Sequence, residues 1–237
     1  MQSVIKLRKD LHHVANPKKV ALLQKFFKTK EGEYGHGDIF IGVTVPNLRL
    51  IAKKYSELNF SNVETLLMSP IHEERLLGLL ILVLQFEKGS NEIRKRIYNF
   101  YLSHTAYINN WDLVDLSADK IVGGYLLERS TGILTKLATS DSLWDRRIAV
   151  IATYQFIKEK KEYKETFRIA RILLHDDHDL IHKAVGWMLR EVGKRCSREI
   201  LSSFLVKHYK AMPRTCLRYA IEHYSSDVRK KYLLGVV

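Results

Sequence analysis

Apolar residues recur along most of this chain with the period of a helix. In Leu143-Trp144-Asp145-Arg146-Arg147-Ile148-Ala149-Val150-Ile151-Ala152 they return at i, i+3 and i+4 around a polar sector, and residues 180–190 repeat the pattern. That spacing predicts amphipathic helices, whereas the strict alternation of a half-buried strand is scarce. Residues 76–84 are apolar on every side and predict a helix with no solvent face. Four prolines (Asn16-Pro17, Val45-Pro46, Ser69-Pro70 and Met212-Pro213) each precede such a stretch and predict helix starts. The ring is tolerated there because the N–H it removes has no helical acceptor. No proline interrupts the 142 residues between Pro70 and Pro213, which suits stacked helices better than a sheet with many turns. Residues 31–38, rich in glycine, predict a loop between two early helices. They lack the GxxxxGK[ST] and GxGxxG forms that cradle phosphate.

The helical pattern also repeats. Arg75, Trp111, Arg147 and Lys183 fall at 36-residue intervals, and Arg218 follows after 35 more. Each lies near a cap-like polar residue and a helix rich in Leu, Ile, Val and Ala. A two-helix unit of about this length is the building block of TPR, HEAT and armadillo solenoids. Positions in phase with the repeat are expected on one surface of the stack. Asp115 and Trp187, 72 residues apart, form a second such set.

Composition narrows the function classes. Lysine and arginine outnumber aspartate and glutamate by 39 to 26, a formal net charge of +13. That excess suits a polyanionic partner, nucleic acid above all, although a generically basic soluble protein has the same balance. The longest apolar run has nine residues, too few for a bilayer span of about 20, and residues 1–6 do not read as a signal peptide. Cys196 and Cys216 have no CxxC spacing, so a disulfide framework and a cysteine zinc site are not expected, and a cytoplasmic location is.

Several segments carry candidate chemistry. Trp111 and Asp115 stand one turn apart, an indole above a carboxylate. A core tryptophan and an acid complementing a helix dipole would have the same spacing. Gly186 before Trp187 implies close approach of either a ligand or a packed helix. The Arg146-Arg147 pair suits phosphate or a solvated face. His175-Asp176-Asp177-His178-Asp179 has the composition of a metal site, but no helical HExxH is present, and His72-Glu73-Glu74-Arg75 also fails that pattern. Residues 175–179 are read as an inter-helix loop with capping groups. No Gly-x-Ser-x-Gly elbow or cysteine nucleophile motif occurs.

Three segments together resemble one family: Asn110-Trp111-Asp112-Leu113-Val114-Asp115, Leu143-Trp144-Asp145-Arg146-Arg147, and Lys183-Ala184-Val185-Gly186-Trp187-Met188-Leu189-Arg190-Glu191. In order and spacing they look like the bacterial DNA alkylation-repair proteins of the AlkD type, which are 3-methyladenine and 7-methylguanine DNA glycosylases. The resemblance implies an all-α fold, a right-handed superhelical stack of HEAT-like two-helix repeats forming a single domain over residues 1–237. It puts the catalytic aspartate on Asp115 and the lesion-contacting aromatics on Trp111, Trp187 and Phe26, where a phenyl ring replaces the family's usual tyrosine. The phosphate-binding arginine falls on Arg147 or its neighbour Arg146, with Lys183 and Arg190 as further phosphate contacts. A monomeric enzyme acting on double-stranded DNA, without metal or organic cofactor and without membrane association, is the expected result. The alternatives are a non-catalytic, DNA-structure-binding member of the same superfamily and a HEAT-type scaffold with no nucleic-acid role.

Overall fold

The computed structural model describes residues 3–237, and its regular elements are helices throughout. One isolated parallel bridge between Ile39 and Ile71 is the closest approach to a sheet among the described residues. The chain forms two compact units, Met1–Ile121 and Val122–Val237.

The first unit contains α1 (Val4–His13), α2 (Pro17–Phe26), α3 (Val45–Lys54), α4 (Phe60–Leu67), α5 (His72–Lys88), α6 (Asn91–Ser103) and α7 (Trp111–Asp115), with a 3-10 turn at Thr105–Tyr107. Its centre is α5, on which α3, α4 and α6 pack. Every residue from His72 to Val83 is buried, as expected for 76–83, whereas Leu84 is half-buried and Glu87 and Lys88 at the end of α5 are exposed. Leu77, Leu79, Ile81 and Leu82 have no exposed surface. Each stabilises the fold by about 1.5–3 kcal/mol relative to an exposed side chain.

The second unit contains α8 (Gly124–Leu126), α9 (Gly132–Ala138), α10 (Leu143–Ala152), α11 (Tyr154–Lys160), α12 (Lys164–Leu173), α13 (Asp179–Arg195), α14 (Arg198–His208), α15 (Arg214–Ala220) and α16 (Ser226–Leu234). A π-helical stretch, Asp119–Gly123, precedes α8. The long α13 packs against α10, α12, α14 and α15. At Gly186 a Cβ would lie 2.4 Å from the carbonyl oxygen of Cys216 and 2.5 Å from the Cβ of Tyr219. The glycine before Trp187 is therefore a packing requirement of α15.

The predicted repeat has a structural counterpart. Arg147, Lys183 and Arg218 are each the fifth residue of their helices α10, α13 and α15. Trp111 instead begins its helix, one turn earlier in the register. Asn110, Ser142 and His178 cap α7, α10 and α13 with side-chain acceptors; of residues 175–179, expected as a capped loop, 175–178 are that loop and Asp179 already opens α13. The prolines behave less uniformly. Pro17 and Pro46 occupy first-turn positions, but Pro213 is the cap residue of α15 and Pro70 lies two residues before α5. Among the described residues no helix is long and apolar enough to cross a membrane.

Candidate active site

The short helix α7 is set by its own first residues. The Asn110 side chain accepts from the Trp111 amide at 2.9 Å, and Asp112 accepts from the Leu113 amide at 2.9 Å. Asp112 also lies in the first turn, where a negative charge complements the helix dipole. Leu113 and Val114 are buried. Trp111 and Asp115, four residues apart, are left half-buried on one face. Both border a cleft of about 460 Å³ that Lys19, Leu23 and Phe26 of α2 also line.

The floor of the cleft is a run of rings. Trp111 stacks on Phe27 at 5.2 Å with an interplanar angle of 14°, and Phe27 stacks on Phe40 at 5.0 Å. Phe40 in turn lies over His72 at 4.5 Å. Phe26 meets Trp111 edge-on at 5.7 Å and stays 60% exposed. Edge-on and offset-stacked pairs add about 0.5–1.5 kcal/mol each beyond their buried area, so the indole is held in one orientation.

Beneath the rings lies a buried charge cluster. His72 is 1% exposed. Its Nδ1 faces Asp38 Oδ2 at 2.9 Å and its Nε2 faces Asp112 Oδ2 at 2.8 Å. Arg75 donates to the other Asp38 oxygen at 2.5 Å, and the Asn110 amide donates to Asp38 at 3.1 Å. Burial alone would drive the imidazolium toward neutrality. The charge and hydrogen bond of Asp112, joined by those of Asp38, overcome it and raise the His72 pKa from 6.5 to about 9. Burial likewise opposes ionisation of Asp38, but the His72 hydrogen bond and the Arg75 charge hold its carboxyl below the usual range. At neutral pH the two cations and two carboxylates cancel. The cluster ties α7, through Asp112 and Asn110, to the start of α5.

The two residues after His72 are equally committed. The Glu73 carboxylate accepts from the amides of Ile41, Gly42 and Val43 at 2.8–3.2 Å, fixing one edge of the cleft. Glu74 receives both Nε and an Nη of Arg8. Residues 72–75 fail the metal motif, and their sequence alone does not reveal this role. The available signal was four consecutive polar residues directly before the apolar run 76–84. Among the described residues no three metal-ligating side chains converge.

The structure thus brings Asp115, Trp111 and Phe26 together in the first unit. The other expected site residues belong to the second. Trp187 is half-buried on α13, its ring 6.4 Å from that of Tyr154. Arg147 is 5% exposed and donates to the Leu180 carbonyl at 2.5 Å. Arg146 bonds Asp176 at 2.6 Å and also the carbonyls of Ser140 and Asp141. Lys183 pairs with Asp179 at 2.7 Å, and Arg190 pairs with Glu222.

Residues 7–224 match the family model described as DNA alkylation repair enzyme. Among solved structures, a predicted DNA alkylation repair enzyme from Enterococcus faecalis superposes with a TM-score of 0.68 at 17% identity, over 90% of this chain and 97% of that one. Likeness at that identity concerns the fold. No curated protein matches the chain.

Proposed function

Because the chain belongs to the DNA alkylation repair enzyme family, we propose that it is a monofunctional DNA glycosylase that excises cationic N7- or N3-alkylated purines from duplex DNA. The observation that carries this reading is a carboxylate, Asp115, bordering an aromatic cleft together with Trp111 and Phe26.

Alkylation at N7 or N3 makes the purine a cation and weakens its bond to deoxyribose. The base then departs neutral and needs little acid catalysis. The transition state places positive charge on the sugar, as in glycoside hydrolysis generally. Ionised Asp115 stabilises that charge and orients the attacking water. The indole of Trp111 and the ring of Phe26 favour a cationic lesion by about 0.5–2 kcal/mol over a neutral base. In the second unit we assign Trp187 as an aromatic DNA contact and Arg146, Lys183 and Arg190 as phosphate contacts, whereas Arg147, 5% exposed and bonded to the Leu180 carbonyl, positions α13 instead of reaching a phosphate. Carboxylates already orient the three phosphate contacts: Asp176 holds Arg146, Asp179 holds Lys183 and Glu222 holds Arg190. Phosphate contacts position the duplex and carry no sequence information. No metal or organic cofactor enters this scheme.

The test is release of 7-methylguanine from methylated duplex DNA by the wild-type protein. Release well above spontaneous depurination supports the assignment, and release at the spontaneous rate rejects it.

A further inference from the structure

Helix α2 buries none of its ten residues. One of its faces is accounted for, since Lys19, Leu23 and Phe26 border the cleft. The adjacent stripe is not. Lys18, Leu22 and Lys25 stand at i, i+4 and i+7, about 100° round the helix from Lys19, Leu23 and Phe26. Leu22 is 68% exposed, a large aliphatic group flanked by a lysine on the turn before it and another on the turn after.

The charge around this stripe is one-sided. Residues 11–30 contain five lysines and two histidines but no acid. Lys18 and Lys19 occupy the first turn, where the positive end of the helix dipole disfavours cations and where no acid compensates. An anion docked at this end would relieve both repulsions. Among the described residues Lys18 and Lys25 have no carboxylate partner.

We propose that the Lys18–Leu22–Lys25 stripe of α2 docks across the minor groove of duplex DNA, with Leu22 as a wedge against the base edges and one lysine on the phosphates of each strand. The proposal rests on the DNA-repair reading above. Seven residues of helix separate the lysines by about 10 Å along the axis. A minor groove about 6 Å wide, flanked by a phosphate ridge on either side, fits within that reach. A whole helix is too wide to enter the groove, so only side chains reach in, and aliphatic wedges are the residues that do so at kinked steps. Major-groove docking would instead call for amide or guanidinium groups to read base edges. The stripe offers only an aliphatic side chain between its two lysines.

The experiment uses the full chain and an undamaged, end-labelled duplex. Affinity is measured from 50 to 200 mM salt, and bending is followed by energy transfer between the ends. All three positions are exposed, and unchanged melting temperatures confirm that the variants fold. Lys18→Gln/Lys25→Gln is expected to lower the slope of log affinity against log salt by about 2, close to one per phosphate contact. Leu22→Ala is expected to keep the wild-type slope while weakening binding several-fold and reducing the bend. Duplex binding that neither variant alters overturns the proposal and leaves the repair reading standing. No duplex binding by wild type overturns both. Binding to anionic phosphatidylserine vesicles that depends on Leu22, with duplex binding unaffected by it, would reassign the stripe to a membrane and also overturn the proposal.

Discussion

Replacing His72 with glutamine is the most informative perturbation of the scaffold beneath the cleft. Glutamine can still hydrogen-bond, but it cannot carry the charge that neutralises Asp38 and Asp112. The His72 pKa of about 9 in the folded protein, against 6.5 as a reference, corresponds to about 3 kcal/mol of stabilisation from the protonated form. The folded value lies above the unfolded one. That stabilisation is therefore complete below pH 6.5, declines by about 1.4 kcal/mol per pH unit between 6.5 and 9, and is gone above 9. Denaturation of wild type and His72→Gln should be followed by circular dichroism at several pH values from 6 to 10. The stability gap between the two proteins should be about 3 kcal/mol at pH 6 and should close by pH 10. Groups outside the cluster cancel in this comparison, so a gap that changes with pH reports on His72 and the carboxylates it bridges. A gap that stays constant with pH would mean that His72 acts through packing alone and would refute the buried charge bridge.

Three further outcomes follow from neighbouring features. Gly42 has φ +86°, and a Cβ there would lie 2.1 Å from the Asn16 carbonyl oxygen. Gly42→Ala should therefore cost about 2 kcal/mol or more, read as a fall in melting temperature. Glu73→Gln replaces an anionic acceptor of three backbone amides and should cost about 1–3 kcal/mol by denaturant titration, while Glu64→Gln, on the half-exposed rim of α4, should change little. Gly186→Ala should destabilise the contact between α13 and α15. Its melting temperature should fall by several degrees, and unchanged stability would show that α15 yields to the added methyl.

Much of this fold can be read from local pattern. The amphipathic stretches at 143–152 and 180–190 become α10 and α13 because their apolar stripes have one period and one side to bury. The 36-residue spacing lands on the fifth residue of α10, α13 and α15. Trp111, Phe26 and Asp115 border one cleft. What escaped the sequence depends on distant partners. His72 finds Asp38 and Asp112 at separations of 34 and 40 residues, and nothing local to any of the three announces the bridge. Glu73 was equally opaque, because its acceptor role is defined by the backbone of residues 41–43. The apolar periodicity of α2 predicts burial that does not occur, since periodicity reports an apolar face and not what covers it. Pro70 marks the approach to α5 but not its first turn.

Single-turnover excision of 7-methylguanine by wild type and Asp115→Asn tests the account most directly, with duplex affinity measured on the same preparations. The amide keeps the shape of the carboxylate and removes its charge. The account predicts a loss of about 100-fold or more in the excision rate with DNA binding retained. Excision by Asp115→Asn at the wild-type rate would contradict it, because the charge at Asp115 would then play no part in breaking the glycosidic bond.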